Sequence, residues 1–453
     1  MTHTNLFKAL GWKGASREAG EDEKTPSLPE VHRSIPVPPN LSFSKKLLLY
    51  SGPGFLVAVG YMDPGNWATS IAGGSKFGYA LLTVVLMSSI FAMILQHLAL
   101  KLGIVTGRDL AQMCKDKFPK PVAIILWLMA EVMIIATDLA EVIGSAIALY
   151  LLFNIPIIVG VIITAVDVLV ILLLQNKGFR YLEALIVTLM ATIAGIFAFQ
   201  IFASAPAIAP LLVGFLPTAQ LVFNPEMLYL AIGIIGATVM PHNLYLHSSI
   251  VQTRMYAETK EGKKEAVKFA TFDSTIALTI ALFVNASILI LAAAVFFTNG
   301  LNEVAAIEDA YKLLSPLVGI SAASTLFAIA LLAAGQNATI TGTLAGQIIM
   351  EGFINLRIKP WMRRIITRLL AIIPAVVFIG LYGANAATDL LILSQVVLSL
   401  QLSFAIFPLI VFTGSKKIMG EFANSTILSI IAWIICIIIA GLNLWLLGGI
   451  FFG

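Results

Sequence analysis

Two short segments carry most of the residues that could do chemistry, 60–66 (GYMDPGN) and 237–243 (ATVMPHN). Each is centred on a proline, Pro64 or Pro241, inside a stretch apolar enough to cross a bilayer. Proline lacks the amide hydrogen that a helix needs and clashes with the preceding turn, so each stretch should unwind midway. Unwound backbone at membrane depth is tolerated where it lines a cavity. Paired breaks therefore predict a secondary transporter that binds its substrate near the midplane.

The ligand types around the breaks indicate a metal ion as the substrate. Asp63 is an ionisable side chain in an apolar segment, which favours a functional role. Asn66 adds an amide oxygen, and Gly60 and Ala237 add backbone carbonyls. Oxygen donors alone would suit Na⁺, Mg²⁺ or Ca²⁺. The thioether of Met240 shifts the preference towards softer ions such as Mn²⁺, Fe²⁺, Co²⁺ or Cd²⁺, although methionine is also a common packing residue.

The composition places these segments in a polytopic all-α membrane protein. The 453 residues are 59% hydrophobic and 11% charged, with a mean hydropathy of +0.95, which excludes a soluble domain. The only cysteines, Cys114 and Cys436, offer neither a disulfide framework nor a thiolate metal site. Residues 1–46 are polar and proline-rich without a signal-peptide core, which predicts a disordered cytoplasmic tail.

Hydropathy predicts eleven membrane spans, each close to the ~20 residues that a bilayer requires. We place them at 47–73, 77–100, 121–150, 155–175, 181–204, 226–253, 271–298, 318–350, 361–382, 387–413 and 425–448.

The distribution of basic residues supports this count and sets the orientation. With a cytoplasmic N-terminus, 26 of the 28 lysines and arginines fall on the cytoplasmic side, and only Lys76 and Lys312 lie outside. This asymmetry follows the positive-inside rule. It predicts a multi-pass protein of the cytoplasmic membrane with an extracellular C-terminus. Because the basic residues follow the topology, they do not predict a nucleic-acid partner.

The two prolines also predict an internal repeat. Five spans separate Pro64 from Pro241, and an odd number of spans turns the second copy upside down in the membrane. The expected architecture is an inverted 5+5 repeat with broken helices 1 and 6 and one additional helix. Its parts are a tail over 1–46, a first repeat over 47–205, a second repeat over 226–413, and an eleventh helix over 425–448.

A third group of residues has the chemistry of a proton relay, although their spacing alone does not establish one. Glu131, Asp138 and Glu141 are spaced by seven and three residues in the third span, which places them within about 80° of one helix face. Three carboxylates on one buried face have no evident role in packing. Asp63, Arg363 and Arg364 could form a relay with them, and His242 and His247 could either titrate near neutral pH or simply satisfy loose carbonyls at the second break.

These residues resemble the signatures of the Nramp family of divalent metal transporters over about 47–448. The matching motifs are DPGN at 63–66, ATDLAE at 136–141, MPHN at 240–243, YLH at 245–247, WMRR at 361–364 and ILSQ at 392–395. The resemblance implies a LeuT-like fold and symport of a transition metal with protons. It also implies ligation by Asp63, Asn66, Met240 and the Ala237 carbonyl, with Gln395 as a further ligand in one conformation. Some relatives that carry Mg²⁺ or Al³⁺ lack the methionine, so its presence argues against those roles.

The working hypothesis is a proton-coupled importer of Mn²⁺ or Fe²⁺, and also of Cd²⁺ or Co²⁺, in a bacterial or comparable membrane. We expect no enzymatic activity, no cofactor and no obligate protein partner. The alternatives are a passive divalent-metal channel, a sodium-coupled amino-acid symporter and an intramembrane metalloenzyme using His242 and His247. The spacing of the two histidines does not match a known zinc motif, and Asp63 would repel an amino-acid carboxylate.

The remaining polar residues receive no function. Buried polar groups in membrane helices often serve only as hydrogen bonds between helices, and an acidic group in an outer loop is usually solvated. These residues are His97, Asp167, Gln200 and Asp273, and the acidic trio Glu303, Glu308 and Asp309.

Overall fold

The computed structural model describes residues 26–164, 178–354, 360–383 and 386–452. Nine helical stretches in this part of the chain are long and apolar enough to cross a membrane: Pro64–Thr106, Lys120–Phe153, Phe179–Ser204, Pro225–Thr253, Lys260–Asn299, Ala323–Ile354, Ile365–Tyr382, Ala386–Gly414 and Thr426–Gly448. The predicted helical membrane protein is thereby confirmed. The number of spans and the repeat stay predictions.

The helices are numbered in chain order. They are α1 Phe43–Tyr50, α2 Pro53–Gly60, α3 Pro64–Phe77, α4 Leu82–Thr106, α5 Leu110–Lys117, α6 Lys120–Phe153, α7 157–164, α8 Phe179–Ser204, α9 Ile208–Val213, α10 Gln220–Phe223, α11 Pro225–Thr238, α12 Pro241–Ile250, α13 Lys260–Val295, α14 Ile307–Val318, α15 Ala323–Ile354, α16 Pro360–Tyr382, α17 Ala386–Gly414, α18 Lys416–Met419 and α19 Thr426–Phe452.

Short elements complete the fold. Single 3₁₀ turns lie at Gly78–Leu81, Val251–Thr253, Phe297–Asn299 and Gly420–Phe422. Two strands, β1 Ile35–Pro36 and β2 Arg254–Met255, pair in parallel.

Three regions differ from the predicted boundaries. Helix α13 begins at Lys260 rather than at 271, because Thr259 caps a polar first turn that hydropathy does not detect. Part of the predicted outer loop forms α14, with Glu308 and Asp309 in its first turn, where acidic side chains complement the helix dipole. The predicted span at 155–175, which includes Asp167, lies mostly outside the described residues; 157–164 are helical.

The end of the predicted disordered tail is ordered. From residue 26 onward the chain crosses one end of the helix bundle, which we call the N-terminal face, and Leu28 is only 2% exposed there. The composition of 1–46 is polar, but Leu28, Val31 and Ile35 are buried against the bundle. A few apolar anchors thus order a segment whose average composition indicates disorder.

An ionic cluster at this face fixes the start of α2. Asp273 accepts hydrogen bonds from the backbone nitrogens of Gly52 (3.3 Å) and Gly54 (2.7 Å) at the helix N-terminus. Arg254, which is 1% exposed, pairs with Glu183 (2.6 Å) and donates to a backbone carbonyl before the helix. Asp273 is therefore a helix cap, and the cluster joins α2, α8, β2 and α13.

Two more of the polar residues left without a function, His97 and Gln200, make contacts between helices. His97 on α4 lies 3.0 Å from the hydroxyl of Thr271 on α13. Gln200 on α8 donates to the Ala323 carbonyl at the start of α15. Both contacts suit residues that join neighbouring helices in an apolar environment.

Small residues set the distance between the long helices. A side chain at Gly103 on α4 would overlap the backbone carbonyl of Ser248 on α12, and one at Gly74 on α3 would overlap the carbonyl of Leu289 on α13. Close approach of backbones through glycine is typical of membrane helices. Both contacts involve a helix that begins at one of the two proline breaks, so they position the site.

Replacing Gly103 should therefore destabilise the bundle. We expect Gly103→Val to lower the free energy of unfolding by about 1–3 kcal/mol, because backbone rather than a movable side chain must yield. Thermal unfolding in detergent measures this. Gly441→Val on α19 is the matched control, since no atom beyond the backbone of its own helix turns lies within 4 Å of an added Cβ. Equal melting temperatures for the two variants would contradict the prediction.

Candidate metal centre

The first break follows from its local sequence. Helix α2 ends at Gly60, and Asp63 caps α3 by accepting the backbone N–H of Asn66 at 2.9 Å. Pro64 occupies the first position of α3, where a missing N–H costs nothing. In a continuous helix the N–H of residue 64 would bond to the carbonyl of Gly60, so the proline removes that carbonyl's helical donor.

The second break also follows from its local sequence, but a different type of residue occupies the cap position. Helix α11 ends at Thr238, and α12 begins at Pro241. Pro241 lies four residues after Ala237 and so leaves the Ala237 carbonyl without its helical donor. Met240 occupies the cap position but makes no side-chain capping bond, and it is fully buried. Its thioether is thus located at the break without serving the helix end.

The two breaks meet at the side chain of Asn66. Its amide nitrogen donates to the Ala237 carbonyl (2.7 Å), the Tyr61 carbonyl (2.7 Å) and a carboxylate oxygen of Asp63 (3.2 Å). Three oxygen atoms from both broken helices therefore surround one nitrogen. Gly60 and Asn243 form a second contact between the breaks, because any side chain at Gly60 would overlap the Asn243 amide.

Gln395 of α17 reaches the same carboxylate. Its amide nitrogen donates to the second carboxylate oxygen of Asp63 at 3.2 Å and to the Ser394 hydroxyl at 3.0 Å. Gly65 makes this approach possible, since a side chain at this position would occupy the space of the Gln395 amide. The residue that the resemblance implied as a further ligand thus contacts Asp63.

The donor set at this junction is poor in charge. No group of three or more histidine, cysteine, aspartate or glutamate side chains in the described ranges has metal-binding geometry. Asp63 is the carboxylate at this junction, whereas Asn66, Met240 and the backbone carbonyls are neutral groups. One carboxylate with amide, carbonyl and thioether groups can hold a divalent ion without fully neutralising it, which suits a cation that must leave again.

Helix α6 touches both breaks. Gly144 packs directly on Pro64, with no room for a side chain between them. About two turns earlier, the Thr137 hydroxyl lies 3.4 Å from a ring nitrogen of His242. Asp138 and Glu141 lie between these two contacts and are buried, whereas Glu131 is partly exposed and accepts from Trp127 of the same helix (3.0 Å).

Sequence reasoning missed the cation that pairs with Glu141. Arg368 on α16, which is 4% exposed, donates to Glu141 (3.3 Å) and to the Thr339 hydroxyl (3.1 Å). Arg368 lies one helical turn beyond Arg364, in an apolar stretch of the sequence. A charged residue at such a position was the sequence feature that could have indicated its role. The backbone of Arg363 and Arg364 lies in α16, but their side chains are outside the described residues.

Two further polar residues support the first break and were also missed. Asn285 of α13 donates to the Tyr61 carbonyl at 2.8 Å. Gln96 of α4 donates to the Tyr61 hydroxyl (2.7 Å) and lies 2.9 Å from a ring nitrogen of His247. The unwound residue Tyr61 is thus held at its carbonyl and at its hydroxyl, and the second contact links it to His247 on α12.

Comparison with known proteins identifies the family. The family profile described as natural resistance-associated macrophage protein-like, Nramp, matches residues 54–448. The divalent metal cation transporter MntH of Listeria monocytogenes is 62% identical over 425 residues, covering 94% of this chain and 95% of the relative. The chain belongs to the Nramp family. This membership confirms the family expected from the motifs and identifies a transporter rather than an enzyme.

Solved structures agree with the Nramp assignment. A manganese transporter from Eremococcus coleocola is 45% identical, with a TM-score of 0.86 over 92% of this chain and 90% of that one. The inward-facing structure of Mhp1, a LeuT-fold transporter, has a TM-score of 0.53 at 13% identity, covering 96% of each chain. The second likeness shows the fold alone. The predicted LeuT-like fold is confirmed at this level.

The contact between the breaks generates a prediction at Gly60. We expect Gly60→Ala to lower the free energy of unfolding by about 1–3 kcal/mol, because the added methyl overlaps the Asn243 amide. Thermal unfolding in detergent measures the loss. Asn243→Ala removes the amide that the methyl overlaps. Gly60→Ala should therefore cost less stability in the Asn243→Ala background than in the native chain. Strictly additive effects would show that the two residues do not touch.

Proposed function

We propose that this Nramp protein is a secondary active transporter that imports a divalent transition metal, Mn²⁺ or Fe²⁺ and also Cd²⁺ or Co²⁺, together with protons. The observation that carries the proposal is the convergence of both breaks on the Asn66 amide. A site that contains parts of two broken helices changes whenever the helices move relative to each other. The names of the relatives, divalent metal cation transporter and manganese transporter, support a metal as the substrate.

The ligands we assign are Asp63, Asn66, Met240 and the Ala237 and Gly60 carbonyls, with Gln395 in one conformation. In this structure the Asn66 nitrogen donates to the Asp63 carboxylate and the Ala237 carbonyl. A cation between these oxygens replaces that donor, so Asn66 turns its own amide oxygen towards the ion. The same rotation removes a hydrogen bond to Tyr61, whose carbonyl then depends on Asn285.

Selectivity comes from the thioether. Ca²⁺ and Mg²⁺ prefer oxygen ligands throughout, and Mg²⁺ gives up its water reluctantly. A sulfur in the ligand set offers these ions little, while softer divalent metals accept it. Met240 is placed at a helix end that it does not cap, and it is fully buried. We assign it the discrimination against the abundant hard cations.

The proton route begins at the metal site and follows α6. Gly144 brings this helix against Pro64, next to Asp63, and Thr137 brings it against His242. Asp138 and Glu141 lie between these contacts, and Arg368 provides a cationic partner for Glu141. Chains of buried carboxylates and histidines form proton relays in membrane pumps and transporters. Glu131, His247, Arg363 and Arg364 complete the proposed route.

The proposed topology follows the distribution of basic residues. The N-terminal face lies in the cytoplasm and the C-terminus outside, in a cytoplasmic membrane. The repeats occupy 47–205 and 226–413, with an additional helix at 425–448. Transport proceeds as the helices that carry the breaks, α2–α3 and α11–α12, rock against a scaffold that includes α6, α15 and α16.

The role of Met240 can be tested by competition. In proteoliposomes with an inward proton gradient and excess external Ca²⁺, Met240→Ala should lose on the order of tenfold in Mn²⁺ uptake relative to the native chain, equivalent to about 1.4 kcal/mol of discrimination. Met190→Ala, a buried methionine on α8 far along the chain from both breaks, is the matched control. Equal inhibition of native and Met240→Ala protein by Ca²⁺ would assign the thioether to packing.

Proton coupling can be tested at Glu141. Native uptake of Mn²⁺ should accelerate with an imposed inward pH gradient and should carry protons, which a pH-sensitive dye inside the vesicles detects. Glu141→Gln should reduce this dependence by about tenfold, because the neutral amide cannot release a proton. Glu303→Gln, at an exposed position, is the control. Native metal flux that ignores the pH gradient would favour a passive channel instead.

A further inference from the structure

Residues 26–37, which we call the N-terminal strap, are built into the N-terminal face. Ser27 and Leu28 are buried there, and Val31, Ile35 and Val37 alternate with more exposed positions further along the strap. The strap lies before the first helix and contributes nothing to the metal ligands. The metal site therefore does not explain why the strap is buried.

The beginning of the strap binds the part of the fold that we assign to the scaffold side. The Ser27 hydroxyl donates to Asp109 at 2.6 Å, at the start of α5 between the spans α4 and α6. The backbone nitrogen of Leu28 donates to Glu351 at 3.0 Å, in the last turn of α15. Both carboxylates are buried.

The end of the strap binds the segment that follows the broken helix α12. The backbone of Arg33 donates to the Gln252 carbonyl (2.9 Å), and β1 pairs with β2 through Ile35 and Arg254. The Arg33 guanidinium also pairs with Glu258 at 2.6 Å. One short segment thus joins α15 to the chain leaving α12, across the end of the bundle where α2 is packed.

The backbone of the strap is held in an unusual conformation. Leu28 and Arg33 have φ values of 54° and 52°, in the left-handed region that residues other than glycine seldom occupy. Such residues persist when surrounding contacts fix them. The buried side chain of Leu28 and the hydrogen bond of its nitrogen to Glu351 supply those contacts. Once they are broken, Leu28 loses the contacts that offset the strain of its left-handed backbone conformation.

We propose that the strap is a latch on the N-terminal face. It holds this face closed, and Ser27 and Leu28 leave Asp109 and Glu351 when the helices that carry the breaks move away from α15 to open a path to this face. The strap stays with β2, to which its backbone is paired. The inference rests on the alternating-access part of the proposed function, because only a moving α2–α12 pair separates the two ends of the strap.

The test measures opening of the N-terminal face without metal or protons, so it can fail independently of the proposed substrate. Val57 on α2 is fully buried, and Val57→Cys reports the opening through its reaction with a maleimide. The full chain is used in lipid nanodiscs, with Cys114 and Cys436 replaced by alanine. Ser27→Ala/Leu28→Ala in this background should raise the labelling rate by about tenfold or more, because the closed state loses a buried leucine.

Two further variants make the result decisive. Glu30→Ala changes an exposed residue of the same strap and should leave the rate unchanged. The disulfide formed by Ser27→Cys/Asp109→Cys ties the latch shut and should slow modification at position 57, read from the mass of that peptide alone, with recovery on reduction. Equal labelling in the Ser27/Leu28 and Glu30 variants would overturn the proposal. If the Ser27/Leu28 variant fails to fold, an unchanged rate in the oxidised disulfide variant would overturn it.

Discussion

The structure depends on how backbone carbonyls are satisfied where two helices unwind inside a bilayer. Each proline removes the donor of the carbonyl four residues before it, at Gly60 and Ala237. In a membrane such a group cannot turn to water and needs another partner. Asn66 provides one for Ala237, and Asn66 and Asn285 share the carbonyl of Tyr61. Movable side-chain amides satisfy these oxygens in the structure. We infer that a bound cation takes the place of an amide as their partner.

This constraint explains why the two breaks could be predicted from the sequence. The loss of a donor is a relation between residues four apart, and the cap of Asp63 on the Asn66 nitrogen spans three. Both relations join residues that are close together along the chain, so they can be identified from the sequence alone. Composition was equally sufficient for the membrane class, because mean hydropathy needs no knowledge of which helix lies beside which.

Contacts between distant residues could not be predicted in the same way. Arg368 meets Glu141 across 227 positions, and Asn285 meets Tyr61 across 224. Which polar residue of an apolar helix reaches a given partner depends on the rotation and depth of that helix, which packing through residues such as Gly144 and Gly342 decides. The N-terminal strap is a further case. Its average composition indicates disorder, but the burial of a few apolar side chains, above all Leu28, keeps the strap ordered.

X-ray absorption at the manganese K-edge of the purified protein with bound Mn²⁺ tests the central claim most directly. If the two breaks form one site, the ligand shell contains a sulfur atom from the second break together with oxygen atoms, and the sulfur contribution disappears in Met240→Ala. A shell of oxygen or nitrogen atoms alone in the native protein, identical to that of the variant, would contradict the account, because the ion would then be bound without the second broken helix.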